Sequence, residues 1–227
     1  KDLEKLQEKL VAEEKIAAVG QLSSAIAHEI RNPVTMIASS LKMAEKHEPG
    51  SPMRLEMFNI ATEEAKRLET MTTDFLAFAR TKEPERKSVA VIETLDYIAS
   101  LAKARLLEKQ LSLSVECDPT LVLNMDESQM QQALLNLLTN AINASPPNSN
   151  VTLGAENSAG SSIVYLENEG EPIPSEIAGR IFEPFFTHGE KGTGLGLSIV
   201  RNIARAHGGD VFLANNERDK VRFEIRF

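Results

Sequence analysis

The sequence predicts a multi-domain chain, α then α+β: a helical hairpin that dimerises into a four-helix bundle, followed by a mixed α/β domain. Three observations carry this. Apolar residues recur at three- and four-residue intervals through residues 12–82, interrupted once by the turn composition "HEPGSP" at 47–52. A charged segment with a proline, "TKEPERKS" at 81–88, then reads as a linker. Beyond it, alternating strand-like runs intermix with helical ones up to Phe227. The two-amphipathic-helix unit leaves an apolar face open, and pairing with a second hairpin buries it.

The chain has 227 residues and a net charge of −8, nearly all of the excess acid falling after residue 82. An acidic chain with no basic stripe and two tyrosines argues against nucleic acid as partner. Its single cysteine, Cys117, rules out an internal disulfide and fits a reducing, cytoplasmic setting. No run reaches the roughly 18 apolar residues of a membrane span. No contact of this chain with a membrane is therefore expected. The opening at Lys1 reads as mid-helix, which suggests that sequence precedes it.

Leu3, Leu6 and Leu10 keep coiled-coil spacing, so residues 1–20 read as a coiled-coil segment. A second stripe runs Ile16, Val19, Ser23, Ile26, Ile30, Val34, Ile37, Leu41 and Ala44; the step from Leu10 to Ile16 shifts the seam. The returning helix carries Leu55, Phe58, Ala61, Ala65, Leu68, Met71, Phe75 and Phe78 on one face. After the linker, the patterns predict a helix over 91–109 and a strand over 111–117. Asp126 and Gln129 form a capping-box pair that opens a helix over 127–144, closed by Pro146-Pro147. Strands fit 150–156 and 162–167, a short helix 175–181, and a helix 194–207 that stops at Gly208-Gly209. Strands at 210–214 and 220–227 close the chain.

The first candidate site is "HEIRNP", residues 28–33. With Ile26 and Ile30 turned inward, His28 lies about 200° round the helix and faces solvent. A neighbouring carboxylate, Glu29, can hold the imidazole in one tautomer and make it a better nucleophile. Asn32 lies one turn below on the same side. Pro33 costs a helix interior about 3 kcal/mol, and a kink or loosening is expected just beneath the histidine. Alone, an exposed histidine beside a glutamate is ordinary surface.

Two further features point to a phosphate ligand. Asn136, Asn140 and Asn143 share about 60° of helix arc, opposite Leu134, Leu138 and Ala141. Asparagine is a mediocre helix former, and its amide oxygen is a hard donor suited to Mg²⁺. In "GEKGTGLGLSIV" (189–200), Gly192, Gly194 and Gly196 let backbone approach a ligand directly ahead of a helix N-terminus, and Lys191 adds positive charge. No Walker-type loop competes with them.

In this order the motifs resemble those of two-component sensor histidine kinases over roughly residues 12–227. "HEIRNP" is similar to the phosphoacceptor box, "NLLTNAINA" to the N box, "IFEPFFT" (181–187) to the F box of the ATP lid, and "GTGLGLSIV" to the second glycine box. The resemblance implies an α/β sandwich of the GHKL ATPase type over 83–227, with the dimerisation and phosphotransfer hairpin over 12–82 and signal transmission through 1–20. It implies phosphorylation of His28, a base or orienting role for Glu29, and water placement by Asn32 in phosphatase action. It implies ATP and Mg²⁺ as cofactors, with Asn140 the metal ligand and Asn136 near the phosphates. Further nucleotide contacts are implied at Asn143, Asn168, Gly170 and Phe185. The glycine box adds Lys191, Gly192, Thr193, Gly194, Leu195 and Gly196. The implied partners are a second copy, an upstream sensor domain and a response-regulator receiver domain, whose aspartate takes the phosphoryl group.

One box departs from the family pattern. Asn168-Glu169-Gly170-Glu171-Pro172 stands where Asp-x-Gly-x-Gly is usual, and Val221 where a hydroxyl residue is frequent. Asn168 keeps an acceptor oxygen but no charge, which weakens its hydrogen bond to an adenine amino group. These changes motivate an alternative, a degenerate nucleotide-gated scaffold or phosphatase-dominant homologue. A chaperone- or topoisomerase-like ATPase would leave "HEIRNP" without a role.

Overall fold

The structure is a computed structural model that describes residues 27, 29–79, 83–158, 160–187 and 192–227. It divides into two compact units, Lys1–Arg80 and Thr81–Phe227. Leu3, Leu6, Leu10, Ile16, Val19, Ser23 and Ile26, with the coiled-coil reading placed on them, lie outside the described residues. Among the described residues no helix is long and apolar enough to cross a membrane.

The first unit is a helical hairpin. Helix α1 (residues 29–44) leads through a turn with Gly50 at φ 84° into α2 (Pro52–Ala79). Ser51 starts α2 by accepting a hydrogen bond from the Arg54 amide at 3.3 Å, and Pro52 follows it as the first helical residue, where a missing N–H costs nothing. Helix α1 runs helical across Pro33, and Pro33 is buried. Pro33, Ser40 and Ala44 are buried with Ile37 half-buried; Ala61, Met71 and Phe78 are the buried positions of α2.

In the hairpin of one chain, only part of the expected stripes is buried. Val34, Leu41, Leu55 and Phe58, all assigned to the apolar face, are 47%, 41%, 56% and 41% exposed. One residue is about 100° of helix, so the buried row at 33, 37, 40 and 44 lies beside the row at 34 and 41. The apolar arc is wider than one neighbouring helix covers.

The second unit is built on a five-stranded sheet in the order β2-β4-β5-β7-β6. Its strands are β2 (Ser112–Cys117), β4 (Asn150–Ser158), β5 (Ser161–Asn168), β6 (Asp210–Glu217) and β7 (Lys220–Arg226). All neighbours are antiparallel except the β2–β4 pair. Helices α3 (Val91–Glu108), α4 (Glu127–Ala144) and α6 (Gly196–Ala206) pack on the sheet, and the short α5 (Ser175–Ala178) lies between β5 and α6 in the chain. Alternation sends Val151, Leu153, Val164, Leu166, Phe223 and Ile225 into the core with Leu134, Leu138 and Val200. The other face carries a polar network. Arg222 lies 3.6 Å over the Tyr165 ring and reaches Glu156 at 2.6 Å, while the Tyr165 hydroxyl donates to Glu116 at 2.9 Å. Tyr165 covers Gly154 on the neighbouring strand, where a Cβ would collide with the ring.

Two short strands escaped the sequence patterns. β1 (Lys87–Ala90) and β3 (Val122–Met125) pair antiparallel. The segment read as a linker to residue 88 therefore ends in a strand. Ahead of it, Glu85 donates its amide to Asp126 at 2.9 Å, and Arg86 donates to the Ala206 carbonyl at 2.9 Å.

Candidate functional site

Helix α4 presents its asparagines as the 3.6-residue period requires. Leu134, Leu137, Leu138 and Ala141 are buried, Asn136 and Asn140 half-buried, and Asn143 exposed at the C-terminal end. Asp126 caps the helix, accepting from the Gln129 amide at 3.1 Å and the Ser128 hydroxyl at 2.8 Å. The capping box closes differently from expectation. Gln129 turns its amide to the Asp126 carboxylate, and the Asp126 backbone N–H donates to His207 Nε2 at 3.0 Å. His207 donates from Nδ1 to the Ile203 carbonyl at 2.8 Å, which fixes its neutral tautomer. This bond ties the start of α4 to the end of α6.

At the other end of α6 the two predicted motifs meet. Asn136 Nδ2 donates to the Gly196 carbonyl at 3.4 Å, and a Cβ on Gly196 would stand 3.8 Å from Asn140 Nδ2. The first N–H groups of a helix have no partner within it, so the α6 N-terminus is an anion-favouring end set beside two amides. Thr193 Oγ1 accepts from the Leu195 amide at 3.3 Å, and Leu195 is fully buried as the anchor of the turn.

The F box closes on the same turn. The Phe185 amide donates to the Gly194 carbonyl at 2.9 Å. Phe185 sits at φ 61°, an unfavourable region for an aromatic residue, and Gly194 at φ 67°. A Cβ on Gly194 would fall 2.6 Å from the Phe185 carbonyl carbon, so glycine is required by both backbone angle and space. Phe182 serves packing, meeting Phe223 edge-on at 6.2 Å between ring centres. Gly192 is exposed at φ 123°.

Asn168 ends β5 opposite Val221 of β7, and both are buried. Its Nδ2 donates to the Glu169 carbonyl at 3.3 Å. A carbonyl only accepts, so the amide nitrogen makes this bond and Oδ1 points to the other side of the group. Gly170 sits against the end of α4, where a Cβ would come 3.1 Å from the Ala144 carbonyl. Three predicted clusters thus converge: Asn136 and Asn140 with Gly196, Phe185 with Gly194, and Asn168 with Gly170 beside the end of α4. His28 and Lys191 lie outside the described residues. Glu29 is half-buried and Asn32 exposed on α1.

A family model described as "Histidine kinase-, DNA gyrase B-, and HSP90-like ATPase" matches residues 125–227, and one described as "His Kinase A (phospho-acceptor) domain" matches 18–84. The histidine kinase ThkA, solved in complex with response regulator protein TrrA, superposes with TM-score 0.83 at 30% identity, over 100% of this chain and 67% of that one. The chain belongs to the sensor histidine kinases. Its curated relatives include sporulation kinase A of Bacillus subtilis (strain 168), 33% identical over 97% of this histidine kinase chain and 36% of the relative. Sensor histidine kinase ZraS of Escherichia coli (strain K12) is 28% identical over 97% of the chain and 48% of its own length. The histidine kinase chain therefore spans between a third and a half of the length of these relatives. "HEIRNP" falls within the phosphoacceptor match, and the asparagine and glycine motifs within the ATPase match.

Proposed function

We propose that this chain is the catalytic core that phosphorylates His28 from ATP and hands the phosphoryl group to an aspartate of a response regulator, with a phosphatase role besides. The observation carrying this reading is the contact of Asn136 and Asn140 with Gly196, which sets two amides against a helix N-terminus in a chain that also bears "HEIRNP". Glu29 accepts a hydrogen bond, and then the proton, from the N–H of His28, so that the other ring nitrogen attacks the γ-phosphorus. The P–O bond to the β–γ bridge breaks as the P–N bond forms, and ADP leaves with the electron pair. The receiver carboxylate then attacks phosphorus and releases the histidine. Asn32 places water for hydrolysis of the aspartyl phosphate. The backbone of residues 192–196 and Lys191 hold the phosphates, and catalysis rests on positioning and charge neutralisation.

Asn140 supplies one hard oxygen donor, which fits Mg²⁺, an ion that keeps several waters and takes phosphate oxygens as ligands. Its contribution when bound is to neutralise charge on the phosphates. Asn168 Oδ1 accepts the adenine amino group, with Asn143, Gly170 and Phe185 bordering the nucleotide. The exposed Val34, Leu41, Leu55 and Phe58 support a homodimer through the hairpin. An upstream sensor domain would feed it, with the chain in the cytoplasm.

Labelled ATP tests the assignment. Wild type is expected to gain an acid-labile label, His28→Ala none, and Asn140→Ala at least about tenfold less. Label on His28→Ala at the wild-type level would overturn it. The degenerate-scaffold reading, favoured by Asn168, Pro172 and Val221, expects nucleotide binding without label on His28.

A further inference from the structure

We propose that Asn216, in the last hairpin, is a positioning residue for the base end of the nucleotide site; this rests on the ATP-binding reading above. The register of β6 places it there. Val211 and Leu213 face Ile225 and Phe223 on the core side, and simple alternation would turn Asn215 inward next. A one-residue bulge between Leu213 and Asn215 reverses that, so that Asn215 pairs with Arg222 on the outer face and Asn216 with Val221 on the inner one. Val221 in turn pairs with Asn168. Asn168, Val221 and Asn216 therefore form one row across β5, β7 and β6.

The Asn216 amide makes two bonds to one residue. Its Oδ1 accepts from the Ile173 amide at 2.7 Å, and its Nδ2 donates to the Ile173 carbonyl at 2.7 Å. A second tie holds the near end of the loop, where the Asp219 amide donates to the Gly170 carbonyl at 3.0 Å. Among the described residues the backbone of 170–173 has no other hydrogen-bond partner. Between the ties stands Pro172, whose ring fixes φ. The segment that follows Asn168 is thus strapped to the hairpin at both ends and seated against the Ala144 carbonyl of α4. A loop held in its binding geometry loses no freedom when the base enters, and this raises affinity without adding a contact. The glycine freedom lost at position 172 is replaced by a rigid strap, and Asn216 is its lock.

Two variants separate this role from general destabilisation. Asn216→Leu keeps the volume and loses both bonds. Asn216→Asp keeps the acceptor for the Ile173 amide and sets a carboxylate oxygen against the Ile173 carbonyl. Both are expected to bind ADP about tenfold more weakly by calorimetry, a difference of roughly 1.4 kcal/mol. In His28 phosphorylation, the loss is expected in KM for ATP rather than in kcat. ADP affinity equal to wild type in both variants would overturn the inference, as would a loss carried by kcat with KM unmoved. Failure of wild type itself to bind ADP would instead sink the nucleotide-binding reading beneath it.

Discussion

Asp126 shows how one side chain joins distant parts of the ATP-binding unit. Burial works against its ionisation, but hydrogen bonds from the Gln129 amide, the Ser128 hydroxyl and the Glu85 amide outweigh that and hold its carboxyl below the usual range. A carboxyl held low in the fold stabilises it above the unfolded pKa of about 4, and the gain is lost as pH falls through the folded value. Asp126→Asn is therefore expected to cost about 1 kcal/mol at neutral pH, with the gap to wild type closing below about pH 4. Urea unfolding across that range measures it, and a gap that persists in acid would contradict the account. The cap itself was legible in the sequence because it is local, three residues from Asp126 to Gln129. The His207 bond was not, because its partners stand 81 residues apart. Asn136 and Asn140 were legible for the same local reason, since helix period alone puts them on one face. Asn216 was not, because its direction depends on a bulge.

At the scale of elements, the segment 181–187 is anchored to the glycine-rich turn by backbone meeting backbone. Phe185 and Gly194 touch through their main chains, with both residues at positive φ. Gly194→Ala would press a Cβ into the Phe185 backbone and force a left-handed angle on alanine. A loss of about 1–3 kcal/mol in stability is expected. A rise of about tenfold or more in KM for ATP should accompany it, because the same turn leads into the α6 N-terminus. Thermal unfolding with steady-state kinetics tests both, and unchanged KM would separate the clasp from nucleotide binding. The glycine box announced this turn in the sequence; the contact to Phe185 was hidden because the two residues are brought together only by folding. β1 and β3 were missed for another reason. Strands of four residues that pair only with each other carry too short an alternation to read.

For the whole molecule, the width of the apolar arc on the hairpin bears on the homodimer proposed above. Pro33, Ser40 and Ala44 are buried within one chain, while Val34, Leu41, Leu55 and Phe58 stay exposed. Leu41→Glu with Leu55→Glu would bury unpaired carboxylates in the proposed dimer seam. The dimer dissociation constant is expected to rise about a hundredfold, read by sedimentation, with melting of the ATP-binding unit unchanged. A double variant that stays dimeric would place the seam elsewhere. By itself the sequence determined the two-part division, the hairpin and the main strands, because helix and strand periods are properties of neighbours in the chain. Only the tertiary structure decided that Pro33 is buried, which of two adjacent apolar rows is covered within one chain, and that Asn216 straps the loop after Asn168. Each of those depends on partners distant in sequence, and a side chain's direction is set by what it packs against as much as by the residue it belongs to.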